Sequence, residues 1–307
     1  MNTFGSKFRL TTFGESHGLA VGGIIDGCPA NIIIDTEFIE SELARRKGPR
    51  NETDKVEFLS GLLEGRTLGT PIAFCVSNHD ARSTDYKALK GLFRPGHGEY
   101  TYKQRYGIHD WRGGGRSSAR ETVARVVAGA IAKQILSTHD IQIKSSTITP
   151  NDLPDNETAG GIVACSIEKV RAGIGNPIFG KLNAQLAAAM MSIPSAIGFE
   201  MGAGFATAQM YGSQYVDQWC RTTDGSIATK TNHCGGIQGG ISNGMPITFR
   251  VAFHPIVTLP GTITCIDSEG TTRNVVVGGR HDRCQVERAS VVVEAMAALT
   301  ILDNMDF

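Results

Sequence analysis

Two histidines stand bare between small residues. His17 lies in TTFGESHG, with Ser16 before it and Gly18 after it. His97 is the centre of a Gly-His-Gly in RPGHGEYTY, approached through Arg94 and Pro95. An imidazole, with an ordinary pKa of about 6.5, exchanges a proton near neutrality, and flanking glycines leave it open to a ligand. A third segment, WRGGGRSSARETVARVVAGAIAK from Trp111 to Lys133, gathers three consecutive glycines, Ser117, Ser118 and four arginines around one helix start. Arg116 and Arg120 crowd the end where the helix dipole is already positive, which costs a few tenths to about 1 kcal/mol per charge. That placement calls for an anion from outside the chain. Backbone N–H groups at a helix start and arginine forks together hold phosphate or carboxylate. A fourth segment, GGRHDRC, sets Arg280, His281 and Asp282 just ahead of the last helical stretch. Together these residues suit proton transfer on a multiply anionic small molecule.

Other patterns are less specific. NHCGGIQGGISNG (232–244) can lie flat against a planar ligand or simply form two tight turns. ARRKGPR (44–50) ends a helix with basic residues, which the dipole favours without any ligand. No HExxH or paired-cysteine spacing points to a metal, and the four His-Asp dipeptides are scattered. Nucleophile-elbow and P-loop patterns are absent.

The elements that must position these residues are legible in outline. FRLTTFG and VGGIID read as strands and TEFIESELARRK as an amphipathic helix. LSGLLEGRTLGTPIAFC reads as two short strands around a glycine turn. After Ser118, the residues Val123, Val126, Val127, Ala130 and Ile131 repeat at the spacing of a buried helical face. Ser118 and Glu121 have the spacing of a capping box. The polar segment 149–161 reads as a variable loop between two halves of a single domain spanning 1–307. FGKLNAQLAAAMMSI predicts a helix, PITFRVAFHPIVTL a strand pair, and RASVVVEAMAALTILD a closing buried helix. Strands and helices interleave without a GxGxxG unit, so the fold class is α+β and not a dinucleotide-binding sheet.

Composition narrows the function. Lys+Arg and Asp+Glu balance at 30 each in 307 residues, so no global charge draws the chain to nucleic acid or membrane, and any anion site is built locally. Seven widely spaced cysteines without a CxxC pair read as reduced, mostly buried thiols of a cytoplasmic protein. No signal peptide or run of about 18 apolar residues is present.

At these motifs the chain resembles the chorismate synthases. TTFGESHG, RPGHGEYTY, the RGGGRSSARET stretch, GGIQGGISNG and the GRHDRC segment with its following helix occur in that family's order, over nearly the whole chain. The resemblance implies a β-α-β sandwich of antiparallel sheets around central helices, assembled as a homotetramer. It implies a 1,4-anti elimination of phosphate from 5-enolpyruvylshikimate 3-phosphate, giving chorismate for aromatic amino acid biosynthesis. The cofactor is reduced FMN, used without net redox change and, with no reductase domain here, supplied from an external source.

Carried over by motif, the catalytic residues are His17, the acid that protonates departing phosphate, His97, which stands by the flavin pyrimidine edge and stabilises its reduced, anionic form, and Asp282, which lies near flavin N5 and helps relay the abstracted proton. Ser16, Arg46, Arg94 and Arg120 fall to the substrate. Arg116, Ser117, Ser118, Pro194, Ser195, Gly239, His254, Thr258 and Arg280 fall to the flavin, and no metal is implied. The chain departs from the family pattern in its short loops after Lys47 and Thr149. It also carries His254 for a lysine, His109 for an arginine and Glu99 for an aspartate. Two other readings remain open on the residues: a flavoprotein oxidoreductase on the same scaffold, and a non-catalytic anion-binding assembly protein.

Overall fold

A computed structural model describes residues 1–47, 54–79, 83–259, 261–277 and 282–306. Two antiparallel sheets face one another across a layer of helices. The first has strand order Thr3–Phe4, Arg9–Phe13, Ala20–Asp26, Ile72–Ser77, Glu57–Phe58, and the second Ala196–Met201, Ile247–Phe253, Gly161–Glu168, Gln142–Ile148. Each sheet alternates along its strands, as a half-buried sheet must. Val21, Ile25, Ile72, Phe74 and Val76 point inward from one; Val163, Cys165, Ile167, Phe249 and Val251 do so from the other.

The helices are α1 (Thr36–Arg46), α2 (Glu99–Tyr106), α3 (Thr122–Ser137), α4 (Leu182–Met191), the single turn α5 (Gly212–Tyr215) and α6 (Val286–Asp303). Asp35 caps α1 by accepting the Phe38 N–H, while Arg45 and Arg46 occupy its last turn. α3 touches the strands of the first sheet, α6 those of the second, and the two helices pack on each other. One continuous buried core therefore joins both sheets, and the architecture is the α+β sandwich that the resemblance implies.

α3 differs from expectation in a telling way. Ala124, Ala128, Gly129 and Ala132 are buried alongside the expected valines, because a helix between two sheets has no wet face. At Gly129 a Cβ would lie 2.3 Å from the Ala295 Cβ, so only glycine permits this approach of α3 to α6. The capping box does not form. Ser118 instead caps a 3₁₀ turn, Ala119–Glu121, and the Glu121 carboxylate turns to Arg125 one helical turn on. PITFRVAFHPIVTL is one strand, Ile247–Phe253, followed by a loop that begins at His254 and Pro255. Leu62–Leu63 and Arg66–Thr67 form the expected short hairpin around Gly65.

All seven cysteines are unpaired; Cys28, Cys165 and Cys265 are buried and the other four half-buried. Burial pushes the Cys28 thiol up to about 12. No helix among the described residues is long and apolar enough to cross a membrane.

A charge cluster lies inside the helix layer. Glu294 of α6 accepts from both guanidinium nitrogens of Arg45 at 2.7 Å, from Lys133 Nζ at 2.5 Å and from Ser145 Oγ at 2.5 Å. Burial alone would raise its carboxyl; these donors outweigh burial and hold it down to about 2. A depressed folded-state pKa contributes stability above the ordinary carboxylate range, and loses it as pH falls toward the folded value. Wild-type Tm should therefore drop between about pH 4.5 and pH 2 more steeply than that of Glu294→Gln, which starts lower at pH 7. Parallel slopes in a thermal-melt series would contradict this.

Candidate active site

His17 sits on the hairpin loop between Arg9–Phe13 and Ala20–Asp26. The Gly18 N–H donates to the Glu15 carbonyl at 2.9 Å, closing a four-residue turn with Ser16 and His17 at its centre. The triple glycine packs against this turn. The Ser16 N–H donates to Gly115 O at 3.3 Å and Ser16 Oγ donates to Gly113 O at 3.3 Å. A Cβ on Gly113 would stand 2.6 Å from the His17 Nε2, and Gly113, Gly114 and Gly115 all have positive φ. The three glycines are thus what let backbone close on the imidazole. Tyr86 meets the ring edge-on, with centroids 5.1 Å apart. Asp110 lies beside the same glycines. Burial would raise its carboxyl, but the Arg112 fork and N–H hold it below the usual range, an anion within the field of His17.

The arginines divide into two kinds. Arg116 reaches only neutral oxygens among the described residues: Thr12 Oγ1 at 2.7 Å, Gly14 O at 3.3 Å and Asn2 Oδ1 at 3.4 Å. Its charge is held in place, as the sequence implies, without a carboxylate. Arg120 and Arg46 instead share Asp54, whose side chain is 2 % exposed. Arg120 Nη1 donates to Oδ1 at 2.7 Å, and Arg46 Nη1 lies 3.7 Å from Oδ2, an oxygen with no hydrogen bond among the described residues. The chain thus supplies part of the negative charge that the helix start was expected to draw from outside. Arg46 Nε also donates to Thr122 Oγ1 at 2.9 Å, tying α1 to the start of α3.

His97 lies one contact further on. A Cβ on Gly98 would sit 3.5 Å from the Ser117 Cβ, so the Gly-His-Gly loop abuts the loop that carries Arg116. His97 Nδ1 is 2.9 Å from Pro95 O, which can only accept, so that nitrogen carries a proton. Nε2 is 3.1 Å from Thr258 Oγ1. Burial, then the Arg94 charge, lowers the His97 pKa. The ring is therefore neutral at pH 7, with Nε2 accepting from the Thr258 hydroxyl. A histidine NMR titration should find His97 titrating below pH 6.5; a midpoint above that value would overturn the assignment. Arg94 itself is engaged internally: its Nε donates to the buried Glu99 at 2.7 Å and its guanidinium lies 5.8 Å over Tyr86. The bonds to Glu99 run from Nε and Nη2, so they fix the plane of the guanidinium that the resemblance gives to the substrate.

The remaining sequence-predicted residues form a string leading from Thr258. In the same loop, the His254 N–H donates to Ser195 O at 3.1 Å, and Gln285 donates to His254 O at 3.3 Å. Ser195, after Pro194, has φ +69, a strained value for serine that Arg125 helps to fix by binding Ser192 O and Oγ. Asp282, three residues before Gln285, is ion-paired with Arg288. Ser117 Oγ donates to Gly114 O and Ser118 Oγ accepts the Arg120 N–H. Gly239 stands apart. Its hairpin, Ile237–Gln238 with Ile241–Ser242, is bonded to the start of α4 through Leu182, whereas Ser192–Ser195 follow the far end of that helix, roughly 15 Å away. Arg280 lies outside the described residues.

Several residues that the motifs did not single out shape this site: Asp54, Asn78, Tyr86, Asp110, Arg112, Glu99 and Arg125. A buried aspartate between two arginines has no local sequence signature. Among the described residues no group of His, Cys, Asp and Glu could hold a metal.

A family model described as chorismate synthase matches residues 8–153 and 152–305. Chorismate synthases of Azobacteroides pseudotrichonymphae and Porphyromonas gingivalis are 48% and 47% identical to the chain, covering 99% of it and 98% and 95% of their own lengths. The first alignment runs over 348 positions against 307 residues here, so that relative carries segments without a counterpart. A solved structure, titled the crystal structure of a chorismate synthase, has a TM-score of 0.78 at 29% identity, over 98% of this chain and 92% of that one.

Proposed function

The chain belongs to the chorismate synthase family of carbon–oxygen lyases, and from that premise we propose that it makes chorismate by 1,4-anti elimination of phosphate from 5-enolpyruvylshikimate 3-phosphate, with reduced FMN. One observation carries the reading. A turn-borne imidazole, an arginine bonded among the described residues to neutral oxygens, and a half-buried imidazole are joined by a continuous series of contacts.

The residues present suit a flavin phosphate and a flat ring. Positive-φ glycines at 113–115 open a surface without side chains, and Arg116, Ser117 and Ser118 supply a cation and hydroxyls. His97, Thr258, Ser195, Pro194, His254 and Asp282 complete the proposed flavin side. Reduced FMN, when bound, supplies electron density to a ring left electron-poor by departing phosphate and recovers it, so there is no net redox change.

Arg120 and Arg46 hold the substrate's anionic groups beside Asp54, with Ser16 on the adjoining turn. His17, with Asp110 nearby to favour imidazolium, donates a proton to the phosphate oxygen as the C–O bond breaks. Neutral His97, its Nδ1 proton fixed on Pro95 O, offers no competing acid. Asp282, ion-paired to Arg288, accepts and relays the ring proton that is lost. Gly239, remote within one chain, fits a homotetramer in which another copy completes the flavin surface. In this reading the chain works as one domain in the cytoplasm, with reduced flavin supplied from an external source.

An anaerobic assay for chorismate and phosphate, with and without photoreduced FMN, tests this. Equal release of both products with a catalytic amount of flavin is expected. Consumption of reductant in step with turnover, or no chorismate at all, would overturn the reading.

A further inference from the structure

Asn78 follows the end of the Ile72–Ser77 strand, and every hydrogen-bonding atom of its side chain is committed. Nδ2 donates to Glu15 O at 3.0 Å and to Gly18 O at 3.1 Å, the two carbonyls that bracket Ser16 and His17. Oδ1 accepts from Arg120 Nε at 2.8 Å. Its backbone N–H donates to Leu19 O at 3.0 Å. The amide can face only one way, since the reverse would set its oxygen against two carbonyls and its NH₂ against a guanidinium. One side chain thus links the arginine beside Asp54 to both ends of the His17 turn.

We propose that Asn78 is a positioning residue that sets the His17 turn relative to the anion held by Arg120. The inference rests on the lyase reading above and adds a residue to it. A two-donor clamp across a four-residue turn fixes where the imidazole points. Its Oδ1 fixes the guanidinium plane through Nε, so the proton donor and the group it protonates are aligned through a single amide. The cost of losing such alignment is large even without a direct contact to the reacting atoms, since a displacement of about 1 Å can cost on the order of 10²-fold in rate.

Two variants separate the two halves of this role. Asn78→Asp keeps an acceptor for Arg120 but loses both donors to the turn. Its kcat should fall on the order of 10²-fold, with the KM for the phosphorylated substrate within about threefold of wild type. Its carboxylate also raises the His17 pKa, so the basic limb of the kcat–pH profile moves upward. Asn78→Ala loses both functions, and both kcat and KM should worsen. A kcat for Asn78→Asp within about threefold of wild type, or a loss confined to KM, would overturn the proposal. So would failure of these two variants and Asn78→Ser to fold by circular dichroism, which would mark a purely structural tie. If wild-type enzyme makes no chorismate, the lyase reading fails on its own. The positioning role is then read from a crystal structure of Asn78→Asp: a displaced Ser16–His17 turn supports it, and an unmoved turn ends it.

Discussion

Replacing His17 with alanine lowers kcat by at least about tenfold, within the 10²–10⁴-fold that a positioned general acid typically contributes. Reduced-FMN affinity stays close to wild type. The reason is geometric: the turn that carries His17 is held by the Ser16 N–H to Gly115, the Ser16 hydroxyl to Gly113, and the Glu15 and Gly18 carbonyls to Asn78, and none of these bonds involves the ring. The variant thus removes the proton donor and its edge contact with Tyr86 while these turn bonds stay. A stopped-flow measurement of phosphate release against a flavin-binding titration reads the two effects separately. Turnover near wild type would remove the acid role from His17 and leave proton delivery to solvent.

Arg120→Ala acts on affinity. Arg120 is 11 % exposed and Asp54 2 % exposed, and breaking a buried pair leaves a carboxylate uncompensated at a cost of roughly 3–5 kcal/mol. Among the described residues Asp54 would keep Arg46, at 3.7 Å. The Kd for the phosphorylated substrate should rise by about 10²–10³-fold, and Tm should fall as well. Adding Asp54→Asn to Arg120→Ala removes the stranded charge, so the double variant recovers Tm but not substrate affinity. An unchanged Kd in the single variant would take Arg120 out of the substrate site.

The helices and sheets of the sandwich were legible because apolar spacing is a local signal. The Val123–Ile131 pattern and the valine-rich start of α6 announce burial whatever they pack on. The glycines beside His17 and His97 read in sequence as exposure, yet both rings are half-buried, because the glycines let backbone and Thr258 close on them. What escaped was which of several partners, near or far along the chain, a polar side chain takes. Ser118 and Glu121 have the spacing of a capping box, yet Arg125 offers the Glu121 carboxylate an ion pair and the box gives way to a 3₁₀ turn. That Glu99 is the buried counterion of Arg94 is visible only in the fold, because Glu99 is an ordinary residue in sequence. Asp54 and Asn78 join the site through residues 66 and 42 positions away. No windowed reading can see such pairs. Gly239 shows the converse, since its motif sits in the family's order while the fold carries it to the other end of α4.

The contact of Gly129 with Ala295 carries a wider consequence. The proposed machinery hangs from all three layers: His17 from the first sheet, Arg116 and Arg120 from the lead-in to α3, and His254 and Thr258 from the loop after the Ile247–Phe253 strand of the second sheet. The thickness of the helical filling therefore gauges the distance between groups that never touch it. A single methyl at 129, far from any ligand, would act like a shim in a vice, opening the jaws that grip the reactants. Selection on the reaction then reaches into the middle of the molecule, where a bare backbone keeps the calibration.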